Sequence, residues 1–506
     1  MICPPRVPRR QAAVLLLLAG CAPGLPSPGG APATAPASHE PWRPPPPPAP
    51  PPARPAPAGP GAPAQPAAAP SPSAVPADLA ERIQRLTVGD VVDLALRNNP
   101  ATAQSWANAR AAAAAYGAAR GEYYPTLDAS MAVNRIKTIA TAGRVAVQQT
   151  TWGPSATLTW LLLDFGGRGG AIEGARQALL AADWNHNASI ASVVLGAQVA
   201  YYNYVATRAL VDAQRASVKD AQANLDAAEA RRRAGVATLA DVLQARTALA
   251  QAQLALDTTE GTRQTTRGQL ALALGFPANL PYDVDSVPPS LPIGPVADSV
   301  EALIERAVRD RPDLAAVRAQ AAQASARIRE LRGARLPPLQ VSGTGGYNYV
   351  AGRAGGGNNY NVGVALSIPL FNGFAREYQQ EQAEQLADAA AAQARSLEQQ
   401  VTFQVFNSYY GLQTATKRVQ TSNTLLASAQ QSLDVAQARY KAGVGTVLDL
   451  LAAQSALADA RSQAIQARLS WYTSLAQLAH DAGALDARGA TNLRMSPDTV
   501  ESRPPQ

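Results

Sequence analysis

The chain has 506 residues, a formal net charge of +7, 5% aromatic residues and two cysteines. Its length would allow three or four ordinary domains, but alanine dominates and the other apolar residues are thinly spread, which favours long helices with narrow contact seams over large globular cores. Two cysteines exclude a disulfide-stapled scaffold and a cysteine-based metal site, and the modest positive charge gives no reason to expect a nucleic-acid partner.

The N-terminus has the pattern of an export signal. Arg9 and Arg10 precede a short apolar run at 12–17, followed by Leu-Ala-Gly and Cys21. This apolar run is too short to span a bilayer, so residues 1–20 predict a signal peptide. Small residues directly before Cys21 resemble a bacterial lipoprotein signal, which implies cleavage before Cys21 and lipidation (palmitate, diacylglycerol) of its thiol. An ordinary signal peptide with a chance cysteine is the alternative.

Residues 21–77 consist mostly of proline and alanine. Such a segment adopts extended polyproline II structure and has no means of burying a core. We expect either a semi-rigid tether between Cys21 and the body or a disordered leader, and we expect the tail 484–506 to be disordered as well.

The rest of the chain is a tandem repeat of one unit, residues 78–280 and residues 281–483. Residues 221–252 align without a gap on residues 429–460, so that Gly235 matches Gly443, 208 positions later. A repeat of this length is a duplicated half-protein and not a solenoid unit. The function must therefore be one that two similar halves perform together.

Each half begins with a predicted helix, at 88–121 and 298–335, and continues into two segments of alternating apolar and polar residues. The four alternating segments lie near 127–134, 151–160, 339–349 and 360–368. Strands of about ten residues with one apolar face, and with Trp and Tyr near their ends, fit a transmembrane β-barrel better than a soluble sandwich. Four strands cannot close a barrel, so the barrel must be shared between two chains, giving eight strands, or three, giving twelve.

A long helix follows in each half, at 168–233 and 376–441, and each would be about 100 Å long. Each long helix ends at an Ala-Gly-Val turn, and the return helix begins with a Thr-x-x-Asp capping box. The residues of these two turns are Gly235, Thr238 and Asp241 in the first half and Gly443, Thr446 and Asp449 in the second.

The duplicated Ala-Gly-Val-x-Thr-x-x-Asp-x-Leu turn and the two strand-to-helix junctions resemble the TolC-type outer-membrane efflux protein family over about residues 85–480. The junction residues are Asp164, Gly166 and Arg168 in the first half and Asn372, Gly373 and Arg376 in the second. The resemblance implies a mainly α fold with a membrane β-barrel: a homotrimer with a 12-strand β-barrel continued by a 12-helix α-barrel. It implies a passive exit duct in the bacterial outer membrane, extending into the periplasm and lipid-anchored here.

The resemblance also implies partners. These are a periplasmic adaptor (membrane fusion protein) and an inner-membrane pump, with a proton-driven RND-type pump favoured and an ABC-type pump as the alternative. Multidrug or small-molecule efflux is the favoured role; type I protein secretion and metal efflux would use the same duct. A structural helical stalk is a further alternative, but stalks need no lipid-facing strands.

In that family the periplasmic tip is a closed iris. Carried over by position, Asp241 and Asp449 match its acidic ring, and Tyr440 matches a tyrosine that links toward the neighbouring hairpin's aspartate. This chain has Gly445 where some members carry a linking arginine and Ala452 where some carry a second aspartate. Without the resemblance, the aspartates are explained as helix caps and Tyr440 as a packing residue.

Three further features have plain structural readings. The basic run 231–233 suits a helix C-terminus, or else an adaptor-docking surface. The glycine-rich stretch 166–170 lacks the spacing of a phosphate-binding loop and predicts a barrel-to-helix transition. The three histidines, His39, His186 and His480, have no metal-ligand spacing, and no catalytic motif is present, so we predict no enzyme, cofactor or metal.

Overall fold

The computed structural model describes residues 34–44, 86–139, 146–280, 282–284, 297–352 and 355–485. The predicted signal peptide, Cys21 and nearly all of the tail lie outside the described residues. The elements, in chain order, are α1 (Val88–Asn98), α2 (Pro100–Gly121), β1 (Thr126–Ile139), β2 (Ala146–Leu163), α3 (Gly167–Arg233), α4 (Leu239–Ala273), α5 (Val300–Asp310), α6 (Pro312–Ala334), β3 (Leu339–Val350), β4 (Gly356–Leu366), α7 (Ala375–Lys441) and α8 (Val447–Asp481).

The same order of elements occurs twice, which confirms the predicted duplication. Helices α3 and α7 have 67 residues each, and their return helices α4 and α8 have 35 each. At 1.5 Å per residue, α3 and α7 are each about 100 Å long, as the sequence predicted. Among the described helices, none carries an apolar stretch long enough to cross a bilayer.

The prediction of one continuous first helix is wrong in both halves. Asn99 separates α1 from α2 with extended backbone angles (φ −69°, ψ 125°), and Arg311 does the same between α5 and α6 (φ −71°, ψ 124°). Each of them precedes a proline, Pro100 or Pro312, whose ring disfavours helical angles in the residue before it but is well accommodated at the first helical position. The helix therefore stops and restarts at each proline.

The four strands form one antiparallel sheet in the order β1-β2-β3-β4. Strands β2 and β3 join the two repeats, and there Trp152 lies opposite Tyr349, with ring centroids 4.3 Å apart. Strands β1 and β4 are the edges of this sheet. Apolar side chains of β4 such as Tyr360, Val362 and Val364 are exposed, so a single chain leaves both the sheet edges and an apolar face uncovered.

The hydrophobic cores are seams between helices. The largest two lie where α1 meets α3 and the end of α4, and where α5 meets α7 and the end of α8. Two smaller seams, around Leu225 and Leu433, hold the far ends of the hairpins together. The thin seams agree with the alanine-rich composition, since small side chains let long helices pack closely without a wide core.

Candidate functional site

The turns at the two hairpin tips have the same geometry. Gly235 and Gly443 have left-handed backbone angles (φ 77° and 78°), which glycine adopts without a steric cost. In the first turn, the Val236 N–H donates to the Arg231 carbonyl oxygen and the Gly235 N–H to that of Arg232, both at 3.0 Å. This is a Schellman motif, and the second turn repeats it, so each long helix is stopped sharply.

Both predicted capping boxes are present. The Asp241 carboxylate accepts hydrogen bonds from the Thr238 backbone N–H and hydroxyl, each at 2.8 Å. The Asp449 carboxylate likewise accepts from the Thr446 backbone N–H at 3.2 Å, and the Asp449 N–H donates back to the Thr446 hydroxyl at 3.1 Å. Hydrogen bonding from Thr446 lowers the pKa of Asp449, so this exposed carboxylate stays ionised at neutral pH. Both aspartates therefore cap the N-terminus of a return helix, α4 or α8.

Tyr440 contacts an arginine of the other hairpin within the same chain. The Arg231 guanidinium carbon lies 4.5 Å from the centroid of the Tyr440 ring, and Arg231 Nη1 donates to the Tyr440 carbonyl oxygen at 2.8 Å. The Arg231 side chain thus joins the tip of α3 to the tip of α7, whereas the neighbouring Arg232 and Arg233 are exposed. In the sequence Arg231 is one of three consecutive arginines, and nothing local indicates this contact because Tyr440 lies 209 residues away.

A second contact joins the hairpins farther from the tip. Arg461 Nη1 on α8 lies 3.7 Å from Asp220 Oδ2 on α3. Nothing in the local sequence around either residue indicates this ion pair. The two contacts together tie the first hairpin to the second along their shared face.

The first strand-to-helix junction is organised by Arg168. This arginine is only 8% exposed; it donates to the carbonyl oxygens of Leu162 at 3.2 Å and Glu122 at 3.1 Å and forms an ion pair with Asp164 at 3.4 Å. Its guanidinium also lies over the Tyr123 ring. Arg168 therefore fixes the end of β2 against the end of α2, at the point where the sheet becomes helix.

The glycines of this junction serve close helix packing. A Cβ on Gly170 would lie 2.4 Å from the Glu330 backbone nitrogen, and one on Gly333 would lie 2.3 Å from that of Gly167. Only glycine, which has no Cβ, allows α3 and α6 to approach so closely at these positions. This packing accounts for Gly170 and for the approach of Gly333 to Gly167, and a left-handed φ of 94° accounts for Gly166.

The second junction is built differently. Asn372 and Gly373 are exposed and Arg376 is partly exposed, and Gly373 has a left-handed φ of 69°, next to Phe374 at 62°. Asn372 stands where the first junction has Asp164, so the charge that pairs with Arg168 has no counterpart here.

Residues 34–44, which we call the N-terminal clasp, pack onto α3, and over these residues the expectation of a spacer that buries nothing is wrong. Trp42 is 3% exposed and exchanges two hydrogen bonds of 2.8 Å with the Asn187 side chain. Its ring meets the Trp184 ring edge-on, with centroids 4.8 Å apart. The available signal was Trp42 itself, a large aromatic residue in an otherwise Pro/Ala-rich stretch.

Two titratable groups are buried on α3 at this level. His186 lies between the Ser105 hydroxyl (2.9 Å) and the Glu40 carbonyl oxygen of the clasp (3.0 Å), and burial lowers its pKa. Asp183 is fully buried, neither carboxylate oxygen has a hydrogen-bond partner within the described structure, and burial raises its pKa to about 7. The described residues contain no group of three or more His, Cys, Asp or Glu placed to hold a metal ion.

The chain matches the family model described as outer membrane efflux protein over residues 91–276 and 303–484, one segment in each repeat. It is 30% identical over 392 residues to Protein CyaE of Bordetella pertussis, covering 76% of this chain and 81% of that protein. It is 27% identical over 413 residues to the pyoverdine export outer membrane protein OpmQ of Pseudomonas aeruginosa, covering 74% and 80%.

Among solved structures, the CmeC outer membrane channel of Campylobacter jejuni shares the fold, with a TM-score of 0.70 over 78% of this chain and 85% of that one, at 18% identity. The family match in both repeats, the similarity to CyaE over most of each chain and the shared fold lead to one conclusion. This chain belongs to the outer membrane efflux protein family.

Proposed function

We propose that the chain forms the outer-membrane exit duct of a tripartite export system, as a homotrimer with a 12-strand β-barrel and a 12-helix α-barrel. The observation that carries this proposal is the open four-stranded sheet with exposed apolar residues, which runs directly into two helices of 67 residues. Unpaired sheet edges are not tolerated in lipid, and copies of the same chain can pair them.

Barrel size favours three copies over two. Eight strands enclose an interior just wide enough to be filled by side chains, whereas an open aqueous channel needs a larger barrel. Three copies supply twelve strands, and their three pairs of hairpins supply twelve helices to continue the wall across the periplasm.

We place the gate at the hairpin tips. Three copies of Asp241 and Asp449 around an axis would form a ring of carboxylates that attracts cations at the constriction. The Gly235 and Gly443 turns, with their Thr238 and Thr446 caps, hold each tip rigid, so that whole hairpins move. Tyr440 joins the tips of the two hairpins of one chain through its contact with Arg231.

The proposed partners are a periplasmic adaptor that opens the tips and an inner-membrane pump that supplies energy, RND-type favoured and ABC-type the alternative. Family members are transport channels and not enzymes, which agrees with a passive duct. The relative OpmQ is a pyoverdine export protein, and this favours a small-molecule cargo for the present chain. Protein secretion and metal efflux are alternatives that the pump would decide.

The clasp supports a lipid anchor at Cys21. At the start of the clasp, the Ala35 carbonyl oxygen accepts a hydrogen bond from Trp106 on α2, about 22 Å along that helix from its last residue. Thirteen residue steps separate Cys21 from Thr34, and an extended chain of that length spans up to about 45 Å. A lipidated Cys21 can therefore reach the membrane at the end of the sheet. The mass of the mature N-terminal peptide tests the anchor: a peptide that begins at Cys21 without added acyl chains contradicts it.

Single-channel recording in planar bilayers, combined with native mass spectrometry in detergent, tests the duct. We expect a trimer as the dominant species and discrete conductance steps from the purified protein. A matched control is Val362→Lys, which places a charge among the exposed apolar side chains of β4 and should abolish insertion while leaving the helical circular dichroism intact. A stable monomer or dimer, or a trimer that never conducts, would contradict the proposal.

A further inference from the structure

The two repeats put different residues at two kinds of seam in the proposed ring. Within one chain, α3 of the first hairpin packs against α8 of the second. In a closed ring, α7 must pack in the same way against α4 of the next copy, because α3 aligns with α7 and α4 with α8 at a spacing of 208 residues. Each contact seen inside the chain therefore identifies the two residues that would face each other between copies.

The ion pair inside the chain has no counterpart between copies. Arg461 Nη1 lies 3.7 Å from Asp220 Oδ2. The residues 208 positions away are Gln253 on α4 and Ser428 on α7, which cannot form an ion pair. Both are exposed in the single chain, as residues that face a neighbouring copy would be.

The arginine–tyrosine contact at the tip is also weaker at the seam between copies. Arg231 donates to the Tyr440 carbonyl oxygen and stacks on the Tyr440 ring. At the seam between copies, the equivalent residues are Arg439 and Arg232. The backbone acceptor is retained there, but the aromatic ring is replaced by a second guanidinium, so an attractive cation–π contact becomes a repulsion between like charges.

We infer that the periplasmic end opens at the three seams between copies, where α7 meets α4 of the next copy, and that the two hairpins of each chain move as one unit. This inference rests on the proposed homotrimeric duct. Opening along either kind of seam would widen the same constriction, and the route taken is the one of lower free energy. The ion pair and the arginine–tyrosine contact both stabilise the seam within each chain. At the seams between copies, which we call the outer seams, the ion pair is lost and the cation–π contact is replaced by a repulsion.

Cross-linking distinguishes the two seams. Of the two native cysteines, Cys3 leaves with the predicted signal peptide and the proposed lipid blocks the thiol of Cys21, so only the introduced cysteines react. Ser428→Cys with Gln253→Cys bridges the seam between copies, and Asp220→Cys with Arg461→Cys bridges the seam within a chain. Each double variant is treated with a short bismaleimide, run on a denaturing gel and recorded in planar bilayers.

We expect the first pair to give a covalent trimer that no longer opens, and the second pair to remain a monomer on the denaturing gel and to open as the untreated protein does. Failure of the first pair to link copies would contradict the homotrimeric ring itself. A covalent trimer that still opens, or a bridge within the chain that blocks opening, would overturn the inference while leaving the duct in place.

A second set of variants tests the inference without a cross-linker. Ser428→Asp with Gln253→Arg supplies the missing ion pair at all three outer seams. Because three exposed pairs would add together, we expect the open fraction to fall about threefold or more. The two single variants are the controls and should have little effect. An open fraction that is unchanged in the double variant while its trimer forms normally would contradict the inference.

Discussion

Because Asp183 is buried, we expect the stability of the protein to depend on the protonation of this side chain and therefore on pH. Its pKa is raised from 3.8 to about 7 because the side chain is buried, and neither of its oxygens has a hydrogen-bond partner in the described structure. Between these two pH values the folded state holds a proton that the unfolded state has released, so the free energy of unfolding falls as pH rises from about 4 to 7 and then levels off. Asp183→Asn removes the ionisable group and should remove this dependence.

The size of the effect follows from the shift. One pKa unit corresponds to about 1.4 kcal/mol, so the upper bound is about 4 kcal/mol at pH 8. Local relaxation and water entry reduce the cost of a buried charge, and the asparagine amide would also lack hydrogen-bond partners. We therefore expect the free energy of unfolding of Asp183→Asn to exceed that of wild type by about 2 kcal/mol at pH 8. At pH 4 the two proteins should differ by less than about 0.5 kcal/mol, since the carboxyl is then neutral in the folded state.

Urea unfolding of the detergent-solubilised protein, followed by circular dichroism at pH 4 and pH 8, measures this difference. Asp212→Asn is the matched control, because Asp212 is an exposed carboxylate on the same helix. Infrared difference spectra of wild type against Asp183→Asn should also show a protonated carboxyl band at pH 6. If Asp183→Asn keeps the wild-type pH dependence, or is less stable than wild type at pH 8, the argument from burial is wrong.

Two further predictions concern the tip and the clasp. Asp449→Asn should reduce cation selectivity and block by trivalent cations if the carboxylates line the constriction; a variant that loses only thermal stability would leave capping as the whole role. Trp42→Ala should release the clasp, because losing a buried tryptophan costs about 3–5 kcal/mol, and protease cleavage within residues 34–44 should then increase while trimer assembly is unchanged. Equal protection of wild type and Trp42→Ala would show that the clasp does not depend on this side chain.

The breaks at Pro100 and Pro312 were predictable from the sequence, although the first helices were predicted as continuous. The effect of proline on the residue before it is local and depends on no partner elsewhere in the chain. The clasp was only partly predictable. Trp42 marks a departure from the Pro/Ala composition, but the site that buries it, between Trp184 and Asn187, is more than 140 residues away.

The duplicated architecture, the two long hairpins, the four strands and the chemistry of the tip turns could all be predicted from the sequence. The hairpins, strands and turns follow from short-range rules, namely the periodicity of apolar residues, capping boxes and glycine at left-handed positions, and the duplication follows from the alignment of one half on the other. The contacts of Arg231 with Tyr440 and of Arg461 with Asp220 are visible only in the folded chain, as is the burial of Asp183 without a hydrogen-bond partner among the described residues. These features depend on which helix faces lie together, and residues more than 200 positions apart carry no local signal of their contact.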